Sequence, residues 1–141
     1  MSYSASSPAK AFSSGPEVPA PLLQTRAVVI ALASPLIARL PPSRLERVLR
    51  FRNGGGEPDP AAPAAAERAL AATARLIRHT CYTRGITRYL LLRRGRSGLS
   101  LVFGVDAASR DGHCWLALDG SPYLEEDDPE RRFVPVWRVG A

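Results

Sequence analysis

The stretch TCYTRGITRYLLLRRGRSGLSLVFGV, residues 80–105, changes from a helical pattern to a strand pattern. Apolar side chains recur at spacings of three and four, Thr80 is a good N-cap residue, and Gly95 is the expected end of the helix. After this glycine, residues 99–105 have a strand pattern. The segment therefore predicts a helix with Cys81 in its first turn, followed by a β-strand.

Further strands are predicted downstream. Residues 113–119 form an apolar run that ends in the hairpin dipeptide Asp119-Gly120. Tyr123-Leu124 begins a short third strand, and residues 133–139 form a last strand in which Pro135 indicates an edge position. Helices that precede antiparallel strands indicate an α+β fold.

The upstream part is predicted to be mostly helical. Residues 26–40 form a helix with a kink or stop near Pro35, and Ser43 and Glu46 have the spacing of a capping box that begins a helix at 43–52. Ala-rich residues 64–80 form another helix. The chain then divides into a disordered segment, 1–22, and a single domain, 23–141, made of an N-terminal helical part, 23–52, a linker, 53–63, and a core, 64–141.

Composition limits the classes of function. The 141 residues suffice for one domain, and the net charge of +6 comes almost entirely from arginine. These arginines are spread from Arg26 to Arg138 without interleaved aromatic residues, which does not favour nucleic-acid binding. Two cysteines without a signal peptide fit a reducing, cytoplasmic compartment, and their spacing predicts no metal site. Residues 27–40 are too short for a membrane span.

The two cysteines are predicted to differ. Cys114 alternates with His113 along its strand and faces a leucine-lined surface, so it is interpreted as a buried apolar residue, although a disulfide with Cys81 stays open. Cys81 lies where unpaired N–H groups and the helix dipole favour a thiolate. His113, at the start of its strand, can reach this helix end in the manner of papain-like nucleophiles. His79 is interpreted as a solvated residue.

Four motifs carry a family resemblance. Cys81–Arg84, Tyr89–Gly95, Leu101–Val105 and His113–Gly120 occur in the order and at the distances found in lasso peptide biosynthesis B2 proteins, which belong to the transglutaminase-like superfamily. The resemblance covers residues 66–128. It implies a papain/transglutaminase-like fold with the nucleophile helix packed on a small antiparallel sheet, and a cysteine protease that removes the leader from a precursor peptide without a cofactor.

The resemblance also implies site residues and partners. The family has a third catalytic residue, an Asp, about a dozen positions after the histidine. Here that position holds Glu125, with Asp127 and Asp119 as alternatives. Trp115 and Arg84 are candidates for substrate contact, although Trp115 is equally interpreted as a core residue. The implied partners are the precursor peptide, a separate leader-binding B1-type protein and the lasso cyclase.

Three other functions stay open at the level of sequence. A degenerate member of the family would keep the fold as a scaffold and lose the reaction. An acyl transferase would use the same thioester with an amine in place of water. A basic module that binds nucleic acid is a third, from a different class.

Overall fold

The computed structural model describes residues 20–51 and 55–140. Four helices precede a four-stranded sheet, which confirms the α+β fold. The elements, in chain order, are α1 Ala20–Ala38, α2 Pro42–Arg50, α3 Ala62–Thr73, α4 Cys81–Leu92, β1 Leu99–Val105, β2 Gly112–Leu118, β3 Ser121–Tyr123, a 3₁₀ turn Pro129–Arg131, and β4 Val134–Gly140.

The sheet is antiparallel throughout, with the strand order β3-β2-β1-β4. Asp119 and Gly120 connect β2 to β3 with positive φ angles of 50° and 86°, as a tight hairpin turn requires. β4 is an edge strand, as Pro135 predicts. Its register with β1 shifts between Phe103 and Gly104.

Helix α4 packs on one face of the sheet, and α1 and α3 pack on α4. Gly85 allows the close approach to β2, because a Cβ atom at this position would lie 2.6 Å from Cys114 Sγ. Ile86 and Tyr89 are completely buried in the same core as Leu116. Since Gly85 lies one turn after Cys81, this contact fixes the start of α4 against β2.

The first two helices begin differently from the prediction. α1 starts at Ala20, so residues 20–22 are helical where disorder was expected, and residues 1–19 lie outside the described part of the chain. The predicted capping box is wrong. α2 starts at Pro42 without a side-chain cap, Ser43 lies inside the helix, and Glu46 forms a 2.8 Å ion pair with Arg50 instead.

Helix α3 also differs at both ends. It starts at Ala62, inside the predicted linker 53–63, whose residues 53 and 54 are outside the described ranges. It ends at Thr73, and His79 folds back onto that residue, with 2.7 Å between Thr73 Oγ1 and His79 Nε2. The Thr73 hydroxyl also contacts Ala69 O at 2.8 Å. His79 is therefore half-buried and not solvated.

Helix α1 is longer than the sequence predicts. Its 19 residues have the length and apolar composition of a membrane span, with a mean hydropathy of 1.5 over an 18-residue window. Ala27 and Ala31 on its inner face are completely buried against α3 and α4. Because of this packing, α1 is part of the folded domain.

Candidate active site

Cys81 is the first residue of α4, and the turn that holds it is capped as the sequence predicts. Thr80 and Thr83 form a reciprocal capping box, in which Thr83 N–H donates to Thr80 Oγ1 at 3.3 Å and Thr80 N–H donates to Thr83 Oγ1 at 2.9 Å. The helix leaves the N–H groups of Cys81 and Tyr82 without intrahelical partners. The side chain of Cys81 is exposed and free. A thiolate or an oxyanion is stabilised at such a position.

His113 lies at the start of β2, and aromatic rings fix its orientation. Its imidazole stacks on Phe133, with 5.0 Å between ring centroids, and on Trp115, with 5.9 Å. Trp115 itself is only 1% exposed. Gly104 on β1 leaves room for this indole, since a Cβ there would lie 2.6 Å from the ring. Packing thus places the imidazole before any substrate binds.

Glu125 stands behind His113. Its Oε2 atom lies 3.8 Å from His113 Nε2, and its Oε1 atom lies 3.9 Å from Arg88 Nη1. Arg88 Nε is in turn bonded to Glu67 Oε1 at 2.7 Å. Burial raises the pKa of the Glu125 carboxyl, while the charges of His113 and Arg88 oppose this shift. An acid–histidine pair is therefore present, supported by a cation on α4.

Cys81 and His113 both line one cavity of about 520 Å³. The rest of its wall is mostly apolar and comes from Leu40 and from α2, α4, β1, β2 and β4. The structure thus brings the predicted cysteine and histidine to one cavity, at the junction of a helix N-terminus and a sheet.

The comparison with known families agrees with this geometry. Residues 27–138 match the Transglutaminase-like superfamily. The chain belongs to the transglutaminase-like superfamily. This superfamily includes cysteine proteases and acyltransferases. No match was found among curated proteins or among solved structures.

The other acidic candidates do not approach the histidine of this transglutaminase-like domain. Asp119 follows β2 at the end opposite His113, about 20 Å away at 3.3 Å per residue, and its N–H donates to Gly98 O. Asp127 is exposed. Asp128 caps the 3₁₀ turn by accepting from Glu130 N–H. Glu125 is thus the acidic residue that the fold places beside His113.

Of the two predicted substrate-contact residues, neither lines the cavity. Trp115 is buried beneath His113, so its position supports the interpretation as a core residue that orients the imidazole. Arg84 is exposed on α4 and faces His79. Burial first, and the Arg84 charge second, lower the pKa of His79.

Sequence reasoning missed Arg88 and Glu67. Arg88 lies two helical turns after Cys81, and this spacing places it on the same side of α4 as Cys81. That spacing is the one signal in the sequence that could have identified it. Its partner Glu67 is on α3, and nothing local in the sequence connects the two residues.

Cys114 is not a second nucleophile in this domain. It is 5% exposed, and burial, followed by the proximity of Cys81 and Glu125, strongly raises the pKa of its thiol. Both cysteines are free, so the disulfide that the sequence left open is not formed. Within residues 20–51 and 55–140, no group of three or more His, Cys, Asp or Glu side chains is arranged to hold a metal ion.

Proposed function

We propose that this chain is a cysteine peptidase that removes the leader from a ribosomally made lasso precursor peptide. The observation that carries the proposal is the cavity shared by Cys81 and His113, with Glu125 behind the imidazole. Membership in the transglutaminase-like superfamily supports thioester chemistry at Cys81. The narrower choice of a lasso leader rests on the likeness of the four sequence motifs to B2 proteins.

In this proposal the two ring nitrogens of His113 have different roles. Because Nε2 faces Glu125, Nδ1 is left to accept the proton of the Cys81 thiol. The sulfur attacks the carbonyl carbon of the last leader residue, and the Cys81 backbone N–H stabilises the oxyanion that forms. The C–N bond then breaks, and the amine of the core peptide leaves with the proton from Nδ1.

The thioester is released by water. His113 Nδ1 takes a proton from the water as its oxygen attacks the acyl carbon, and the proton returns to the sulfur as the leader acid departs. The separation of 3.8 Å between His113 and Glu125 is longer than a hydrogen bond. Catalytic hydrogen bonds often tighten only in the substrate complex, so we expect this pair to shorten when a peptide binds.

The proposal includes partners and a compartment. A separate leader-binding protein would present the precursor, and a lasso cyclase would take the freed core peptide. Both the precursor and the cyclase are cytoplasmic in this scheme, and two free cysteines suit that reducing compartment.

Mass spectrometry of precursor cleavage tests the proposal. The chain is incubated with lasso precursor peptides and a leader-binding protein, and the leader acid and free core peptide are quantified. We expect cleavage by the parent protein and by Cys114→Ala, and none by Cys81→Ala. A Cys81→Ala variant that cleaves as fast as the parent would rule out a peptidase that uses Cys81. Accumulation of an amide in place of the leader acid would indicate acyl transfer.

A further inference from the structure

We propose that the cavity beside Cys81 binds a large apolar side chain on the acyl residue of the substrate, the residue whose carbonyl the sulfur attacks. This inference rests on the proposed function and adds the class of substrate to it. The cavity volume of about 520 Å³ exceeds what a single large side chain needs.

Aromatic rings form one wall of the cavity. Tyr82 follows the nucleophile directly and packs edge-on against Phe103, with 5.0 Å between ring centroids. Phe103 in turn packs against Trp137, with 4.8 Å between centroids. These three rings come from α4, β1 and β4 and all line the cavity. A row of rings gives a large apolar contact area to a side chain placed against it.

Aliphatic side chains line the cavity as well. Leu40 before α2, Pro42 and Leu45 on α2, and Val136 on β4 all belong to its wall. Val136 is 63% exposed, so it borders the cavity at the protein surface. A polar or charged side chain would lose its hydration here and find few partners, whereas an apolar one would gain from burial.

The charged groups of the site lie on another side. Glu67, Arg88 and Glu125 form their ion pairs behind His113, and none of them lines the cavity. The imidazole therefore separates a charged side from an apolar side.

The chemistry assigns the cavity to the acyl residue. In the thioester, the acyl carbon is bonded to Cys81 Sγ, so its substituents occupy the space around the sulfur. The leaving amine must depart from this space before water attacks. A cavity that Cys81 itself lines therefore suits the part of the substrate that stays attached.

Reaction of Cys81 with alkyl methanethiosulfonates tests the cavity without requiring a peptide. The thiolate forms a disulfide with the alkylthio group and releases methanesulfinate, so each reagent attaches its alkyl group to Sγ through one added sulfur atom. Rates for the methyl, butyl, benzyl and sulfonatoethyl reagents are measured by intact mass in the Cys114→Ala protein and divided by the rates for glutathione. We expect the benzyl-to-methyl ratio at Cys81 to exceed that of glutathione by about tenfold or more.

Two valines on β4 provide a matched pair of variants. Val136→Asp places a charge at the cavity and should lower the benzyl-to-methyl ratio toward that of glutathione. Val134 is 59% exposed on the same strand but does not line the cavity, so Val134→Asp should leave the ratio unchanged. Using the ratio cancels any change in the intrinsic reactivity of the thiol. A ratio equal to that of glutathione in the parent protein would overturn the inference.

A peptide series separates this inference from the proposed function. Precursors with Phe, Leu, Ser or Asp at the acyl residue are compared by kcat/KM. Faster cleavage of the Phe and Leu peptides supports both the peptidase activity and the assignment of the cavity to the acyl side chain. Equal kcat/KM values for all four peptides would overturn the assignment of the cavity to the acyl side chain but would still support the peptidase activity. A preference of Cys81 for the benzyl reagent over the methyl reagent, with no cleavage of any peptide, would support the apolar binding site and rule out the proposed peptidase activity.

Discussion

Gly85→Ala should weaken the fold by pushing the nucleophile helix away from β2. The new Cβ would lie 2.6 Å from Cys114 Sγ, while ordinary contacts begin near 3.4 Å, so α4 and β2 must separate by about 0.8 Å. Overpacking of this kind costs about 1–3 kcal/mol. Alanine recovers about 1 kcal/mol of helix propensity relative to glycine. We therefore expect a net loss of about 0–2 kcal/mol in the free energy of unfolding.

A double-mutant cycle isolates the contact. Cys114→Ala removes the sulfur and should cost about 1 kcal/mol alone. In the double variant the main clash is gone, and the remaining close atom, Leu101 Cδ1 at 3.1 Å, is the end of a flexible side chain. We expect Gly85→Ala to be neutral or stabilising in the Cys114→Ala protein, with a coupling of about 2 kcal/mol between the sites.

Urea unfolding followed by far-UV circular dichroism measures the four free energies of the cycle. Gly112→Ala on β2 is the control, since a Cβ there meets nothing closer than Gly104 O at 4.0 Å. Additive effects of the Gly85 and Cys114 substitutions would refute the contact, and with it the placement of Cys81 against the start of β2.

Two further predictions concern the surroundings of His113. Arg88→Met removes a cation that opposes the raised pKa of Glu125, so this pKa should rise further and cleavage should be lost at a higher pH as the solution is acidified. The control Arg84→Met should leave the acidic side of the pH–rate profile unchanged. Identical acidic sides in the parent and Arg88→Met profiles would contradict the ion pair between Arg88 and Glu125. Gly104→Ala should displace the Trp115 ring and lower kcat by about tenfold. An unaltered kcat would show that the indole does not orient the imidazole.

Most of the second half of the fold was predictable because its signals are local, although α4 ends at Leu92, before the predicted stop at Gly95, and β3 ends at Tyr123, where a strand was predicted to begin. The capping residues Thr80 and Thr83 determine where α4 begins, and Gly95, with a φ of 71°, lies in the turn that leads to β1. The Asp119-Gly120 dipeptide has the positive φ angles that its hairpin turn demands. In each case a few neighbouring residues decide the backbone conformation.

The N-terminal helices were harder to place because their start and stop signals conflict with the helical pattern. Ser43 and Glu46 have the spacing of a capping box, but two prolines start α2 before them, since proline is favoured at the first helical positions. α3 stops at Thr73, although the alanine-rich pattern continues, and His79 folds back to within 2.7 Å of the Thr73 hydroxyl. Neither boundary can be read from helix propensity alone.

The site residues also differ in how far the sequence could predict them. The positions of Cys81 and His113 follow from where a helix and a strand begin, whereas Glu125 was identified only through the position that the family resemblance implies for the third catalytic residue. The contribution of Glu67 could not be predicted, because it depends on how α3 lies against α4. The burial of Trp115 likewise depends on Gly104, on the neighbouring strand.

The most direct test of the account is the rate at which iodoacetamide alkylates Cys81 at mildly acidic pH, where an unassisted thiol reacts slowly. The protein's two histidines allow a matched comparison in the Cys114→Ala background. If His113 serves Cys81 across the cavity, His113→Ala should slow alkylation by about tenfold or more, while His79→Ala should leave the rate unchanged. Equal rates in all three proteins would contradict a functional cysteine–histidine pair.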